Sequence, residues 1–108
     1  MQVERINIRI ISPQCSILEA MKKMDEIKMK VLFVFTENKF EGILTLGDLQ
    51  RAIIKGSELT DIVLHILDPK KIYADVSESI DSVKRKMAGI RAECMPVVRG
   101  NELVDVYT

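Results

Sequence analysis

Tryptophan is absent from the 108 residues, histidine occurs once, cysteine twice and proline three times. With one imidazole in the chain, His65, no Ser/His/Asp or Cys/His catalytic set can be assembled around a second histidine, and no cysteine stands near it at metal-ligand spacing. It reads as a surface or partly packed side chain. Cys15 and Cys94 lie far apart and read as small apolar core residues in a reduced, cytoplasmic chain. Neither sign of charge is in excess: 16 Lys and Arg balance 16 Asp and Glu. That argues against a nucleic-acid or anionic-membrane binder, whose affinity comes largely from surplus cations. Lys22-Lys23, Lys70-Lys71 and Lys84-Arg85-Lys86 therefore read as solvated faces. No run approaches the roughly 18 apolar residues of a membrane span. The opening MQVERINIRI places Glu4, Arg5 and Arg9 where a signal peptide has its apolar stretch. There is no glycine-rich phosphate loop and no acidic metal pair, so a transferase active site within these residues is a poor reading.

What is present is a globular balance, 47% apolar and 30% charged, on a chain of one domain's length. The organising feature is an internal repeat. Shifted by 63 positions, residues 12–45 align without gaps on 75–108, with eight identities: Ser16/Ser79, Ile17/Ile80, Lys23/Lys86, Met24/Met87, Ile27/Ile90, Val34/Val97, Asn38/Asn101 and Thr45/Thr108. Each copy begins with a short β-rich run, Ile6–Ile11 or Ile72–Val76. Ser16 then reads as a helix N-cap with Glu19 completing a capping box, and Ile17, Ala20, Met21, Met24 and Ile27 follow at helical spacing. Ser79, Ile80, Val83, Met87 and Ile90 repeat the pattern.

Val31–Phe35 is five apolar residues, the length and composition of a strand buried on both faces. Its counterpart is 94–98. Glu37-Asn38-Lys39 and Gly100-Asn101-Glu102 read as tight turns into second strands at Phe40–Thr45 and Leu103–Tyr107. The first copy continues into an amphipathic helix over 46–54, stopped by Gly56, and a short helix over 59–66 ended by Asp68-Pro69. The second copy stops at Thr108, which suggests either an excised piece of a longer protein or a module completed by a partner chain. Met21, Met24, Met29, Met87 and Met95 read as flexible core filler.

Gly42-Ile43-Leu44-Thr45-Leu46-Gly47-Asp48-Leu49 resembles the G-h-h-T-x-x-D-h signature (h, apolar) of cystathionine-β-synthase (CBS) domains. Met95-Pro96-Val97-Val98 resembles the family's h-P-V-V strand, and Val104–Thr108 its third strand, with Asp105 where glycine is commoner. The resemblance implies an α/β (α+β) CBS pair, or Bateman module: two βαββα repeats packed through their sheets with pseudo-twofold symmetry, the second lacking its last helix. The divisions would be a first repeat at 8–57, a linker at 58–70 and a second repeat at 71–108. It further implies a non-catalytic homodimeric regulator that binds AMP, ADP, ATP or, less readily, S-adenosylmethionine between its repeats. The run from Thr45 to Gly56 resembles the version carried by sugar-nucleotide transferases and sugar-phosphate isomerases, so the expected partner is a catalytic domain such as a nucleotidyltransferase.

The residues suit such a ligand chemically. Thr45 ends a strand and offers a hydroxyl, and Gly47 allows close backbone approach. The helix start favours an anion. Asp48, acceptor-only when ionised, suits a ribose diol. Arg51 and Lys55, on the same helix, are in reach of phosphates. By the resemblance Tyr73, Ala92, Glu93 and Cys94 would lie along the base. A mirror-image site would need an acidic residue three positions after Thr108, alongside the regions 10–12 and 29–31. The blander alternatives stand beside these: Asp48 as a helix cap over an empty cleft, Arg51 and Lys55 as a solvated face, Tyr73 as a packed strand residue. In function, the rival is a structural dimerisation module with no small-molecule ligand.

Overall fold

The computed structural model describes residues 7–92 and 94–108. The charges at Glu4 and Arg5, Ile6 at the start of the first expected strand, and Glu93 lie outside them. The elements run β1 (Ile10–Ile11), α1 (Ile17–Ile27), β2 (Val31–Thr36), β3 (Lys39–Thr45), α2 (Leu46–Ile54), a 3₁₀ turn (Val63–Ile66), β4 (Ala74–Asp75), α3 (Ile80–Ile90), β5 (Met95–Arg99) and β6 (Glu102–Tyr107). They form two compact units, Ile6–Lys71 and one containing Ile72–Thr108. Each has its own three-stranded sheet, ordered β1-β2-β3 and β4-β5-β6. The fold class is α+β, as expected.

The repeat is reproduced pair by pair. The first strand of each unit runs parallel to the second, with Ile11 opposite Val34 and Ala74 opposite Val97. In the antiparallel hairpins Leu32 faces Leu44 and Met95 faces Tyr107, and the register slips between Val34 and Phe35 and again between Val97 and Val98. Every one of these pairs is displaced by 63 residues. Helix ends agree too. Ser16 and Ser79 accept from the third helical N–H, and Lys28 and Arg91 close their helices in the left-handed region at φ 58° and 55°.

The first unit buries Ile17, Ala20 and Met24 of α1, Leu32 and Val34 of β2, Leu44 of β3, Leu49 and Ala52 of α2, and Val63. Leu32 and Val34 point to the helical side. Phe33, on the opposite side of the strand by the two-residue period, is also fully buried and lies under the Arg9 guanidinium, 5.2 Å from the ring centre. The expectation of a strand buried on both faces holds.

Four expectations are corrected. β1 is two residues long, because residues 7–9 form a 3₁₀ turn in which Arg9 Nε donates to the Val31 carbonyl at 3.1 Å. β4 is likewise confined to Ala74–Asp75, with Ile72 and Val76 exposed. The second short helix shrinks to Val63–Ile66, because the residues before it serve α1: the Leu59 and Asp61 carbonyls accept from the N–H groups of Leu18 and Ile17. Those first-turn donors have no partner within their own helix. Met29 is exposed and Cys15 only half-buried, whereas Met24, Met95 and Cys94 are core residues.

Candidate functional site

The site is built where β3 hands over to α2. Thr45 is extended (φ −103°, ψ 160°) and caps the helix. Its Oγ1 accepts from the Asp48 N–H at 3.1 Å, and Asp48 Oδ2 accepts from the Thr45 N–H at 2.8 Å. This reciprocal pair is a capping box. The Leu46 N–H donates to the Lys30 carbonyl at 2.9 Å, tying the helix start to the loop that leads into β2. The blander reading of Asp48 as a cap is therefore correct for one of its oxygens.

The other oxygen is occupied differently. Asp48 Oδ1 accepts from Arg51 Nη2 at 2.7 Å and from Lys71 Nζ at 3.0 Å. The Asp48 side chain is 7% exposed, Lys71 18% and Arg51 62%. Burial pushes the Asp48 carboxyl upward, but the Thr45 amide, Lys71 and Arg51 together hold it below the ordinary aspartate value. Asp48 is ionised at neutral pH, and it neutralises one of the two cations gathered on it.

Gly47 lies under the Arg51 guanidinium: a Cβ placed there would lie 3.2 Å from Arg51 Nη1. Beside this cluster a cleft of about 450 Å³ is lined on the α2 side by Asp48, Arg51, Ala52, Lys55 and Ser57, and opposite them by residues 65–68. Neither the Lys55 ammonium nor the His65 ring makes an ion pair or side-chain hydrogen bond among the described residues.

Thr45, Gly47, Asp48 and Arg51, all expected from sequence, are thus brought together in one unit. Tyr73, Ala92 and Cys94 belong to the other. There Tyr73 is half-buried just before β4 and its carbonyl accepts from Lys86 Nζ at 3.4 Å. Ala92 N–H donates to the Met87 carbonyl and Cys94 is buried ahead of β5. Lys71 was missed: it reads in sequence as half of a solvated Lys-Lys pair, whereas the turn at Asp68-Pro69 carries it back onto Asp48. No helical or strand period links positions 23 residues apart.

Residues 3–55 match the family model described as CBS domain. The chain carries a CBS domain. CBS domains are regulatory modules, and the family model that matches is not that of a catalytic family. Among solved structures, an uncharacterized conserved protein from Pyrococcus horikoshii is 27% identical over 92% of this CBS-domain chain and 76% of its own, with a TM-score of 0.74. A CBS-domain-containing protein from Agrobacterium tumefaciens is 21% identical over 98% and 83%, at 0.76. The cytosolic domain of the Mg²⁺ channel MgtE, solved in complex with ATP, is 22% identical over 92% and 41%, at 0.70. Both units therefore lie within the shared fold. Comparison with curated proteins gave no match. No helix among the described residues is long and apolar enough to cross a membrane, and no group of three or more metal-ligating side chains occurs among them.

Proposed function

We propose that this CBS-domain chain is a regulatory module that binds an adenosine nucleotide, AMP, ADP or ATP, at the β3–α2 junction. The observation that carries the reading is the charge imbalance there. One buried carboxylate holds two cations, at the start of a helix whose dipole favours an anion. An anionic ligand that also presents a diol would complete the set, its hydroxyls on Asp48 and its phosphate on the surplus positive charge. The ATP bound by the MgtE domain of the same fold supports the ligand class. Occupancy would modulate a catalytic domain, a sugar nucleotidyltransferase being the kind the sequence resemblance suggests, with the cytoplasm as the compartment. The effect on that domain can be no larger than the ligand's preference for one conformation.

The test is isothermal titration with AMP, ADP, ATP and S-adenosylmethionine against the parent and Asp48→Asn. Asparagine keeps an oxygen for the Thr45 N–H and removes the charge, so a cap defect is not mistaken for a binding defect. Saturable binding weakened by about 1–3 kcal/mol in the variant is expected. A folded parent that binds none of the four ligands would defeat the proposal.

A second reading, an assembly module forming homodimers, is favoured by one observation. Val104 and Tyr107 are only partly covered, beside a cleft of about 350 Å³ that also takes in Val76, Val83 and Val97. Sedimentation equilibrium tests it: a concentration-independent monomer would remove it.

A further inference from the structure

We propose that Lys71 is a phosphate-binding residue of this site, one that leaves Asp48 when a nucleotide's ribose takes that carboxylate. The inference rests on the nucleotide reading above and adds a residue and an exchange to it.

The argument is one of acceptor capacity. A carboxylate offers about four hydrogen-bond positions. Asp48 already fills three, with the Thr45 N–H on Oδ2 and with Arg51 and Lys71 on Oδ1. A ribose diol brings two donors, so at least one present donor has to go. The Thr45 amide is fixed by the cap it belongs to. The movable donors are the two cations. Arg51 holds the shorter contact, 2.7 Å against 3.0 Å, from within the same helix, whereas Lys71 reaches that oxygen from 23 residues away, so Lys71 is the donor that yields. Lys71 is 18% exposed, and an ammonium stripped of its counter-charge in such a setting must find another anion. The nucleotide's phosphate is that anion. The lysine side chain suits the exchange, with three donors on a flexible stem that can follow a phosphate oxygen.

The position of Lys71 gives the exchange a consequence. It is the last residue of the first unit, immediately before Ile72, where the second unit's segment begins. The ion pair to Asp48 spans 23 residues and pins the connecting segment to the start of α2. A ligand that redirects Lys71 is therefore felt in the segment joining the two units.

The test compares AMP with adenosine, which lacks the phosphate, by titration calorimetry on the full chain and on Lys71→Met and Lys71→Arg. Lys71→Met should weaken AMP by about ten- to hundredfold while leaving adenosine unchanged or tighter, because its competitor for Oδ1 is gone. Lys71→Arg should restore most of the AMP affinity. Equal weakening of both ligands would reduce Lys71 to a prop for Asp48, and no change in either would remove it from the site; both results overturn the proposal. If the parent binds neither ligand, the nucleotide reading falls and this one with it. If Lys71→Met does not fold, the parent alone decides: inorganic phosphate should compete with AMP and not with adenosine, and competition with neither refutes the exchange.

Discussion

The two units share one framework and differ in what covers it. Strand pairs, bulges and helix caps recur at the same displacement of 63 residues. Yet among the described residues the first unit's helix-side cluster includes Leu49 and Ala52 of α2 beside residues of α1, β2 and β3, whereas the corresponding cluster of the second holds Ala74, Val83, Met95 and Val97. Tyr107 holds the position of the fully buried Leu44 and is only half-buried. The α2 helix also carries Asp48 and Arg51. Among the described residues local pairing occurs twice, whereas the closed core and the charged cluster of the first unit both draw on α2.

The largest expected effect sharpens that contrast. Leu44→Ala should cost about 2–5 kcal/mol, because it opens a cavity under α2. Tyr107→Ala should cost less, because its ring already meets solvent and the site can relax. Urea unfolding of both variants decides the matter. Equal costs would mean that the second core is as closed as the first.

Turn chemistry gives the next largest effect. Glu37 and Gly100 are equivalent and both adopt positive φ, 55° and 60°. Only the second residue is free of the Cβ penalty, which is about 1–2 kcal/mol at most. Gly100→Ala should therefore destabilise by up to that amount, and Glu37→Gly should stabilise by somewhat less, read as opposite shifts in thermal midpoint. Shifts of the same sign would break the equivalence of the turns.

These positions also mark what the sequence discloses. Ser16-x-x-Glu19 announces a capping box through local chemistry, and the box is present. The apolar runs at 31–35 and 40–45 disclose a hairpin because their period and turn residues act over neighbouring positions. The first strands are not disclosed correctly. Ile6–Ile11 alternates like a strand, but alternation does not say how much of it finds a partner, and one parallel neighbour accommodates Ile10 and Ile11 alone. At the site, Thr45, Gly47, Asp48 and Arg51 are legible because they lie within two helical turns of each other. Lys71 is not, because its approach to Asp48 is set by the path of the chain after α2.

The caps supply a smaller effect. The first helix has a reciprocal box, while at the equivalent place in the second Ser79 accepts from the Ser82 N–H and position 82 returns nothing to the cap amide. Ser16→Ala and Ser79→Ala should each cost about 1 kcal/mol. Glu19→Ala should add a loss that Ser82→Ala does not match at its own cap amide. Helix-specific hydrogen exchange at the two caps measures it.

The smallest effect distinguishes the units by pH. Where the first unit has Ser12, Cys15 and Lys23, the second has Asp75, Glu78 and Lys86. Glu78 accepts from the Lys86 ammonium at 2.7 Å, the Asp75 amide at 2.6 Å and the Ser82 hydroxyl at 2.8 Å. Those donors, the ammonium foremost, hold its carboxyl down at about 2. A folded-state value below the unfolded one means that the charged form stabilises the fold. That contribution is complete above the ordinary glutamate range and disappears as pH falls toward about 2. The stability difference between the parent and Glu78→Gln should therefore be constant near neutrality, narrow steadily below about pH 4.5, and shrink with added salt because the Glu78–Lys86 pair is partly exposed. Cys15→Ser, at the equivalent place in the first unit, should show a difference that does not narrow in acid, because burial and Glu19 raise that thiol and keep it neutral throughout the window. Thermal midpoints from pH 2 to 7 give both curves. A Glu78→Gln difference that stays constant into acid would show that the network stabilises α3 through its hydrogen bonds alone, and the ionic distinction between the units would be lost.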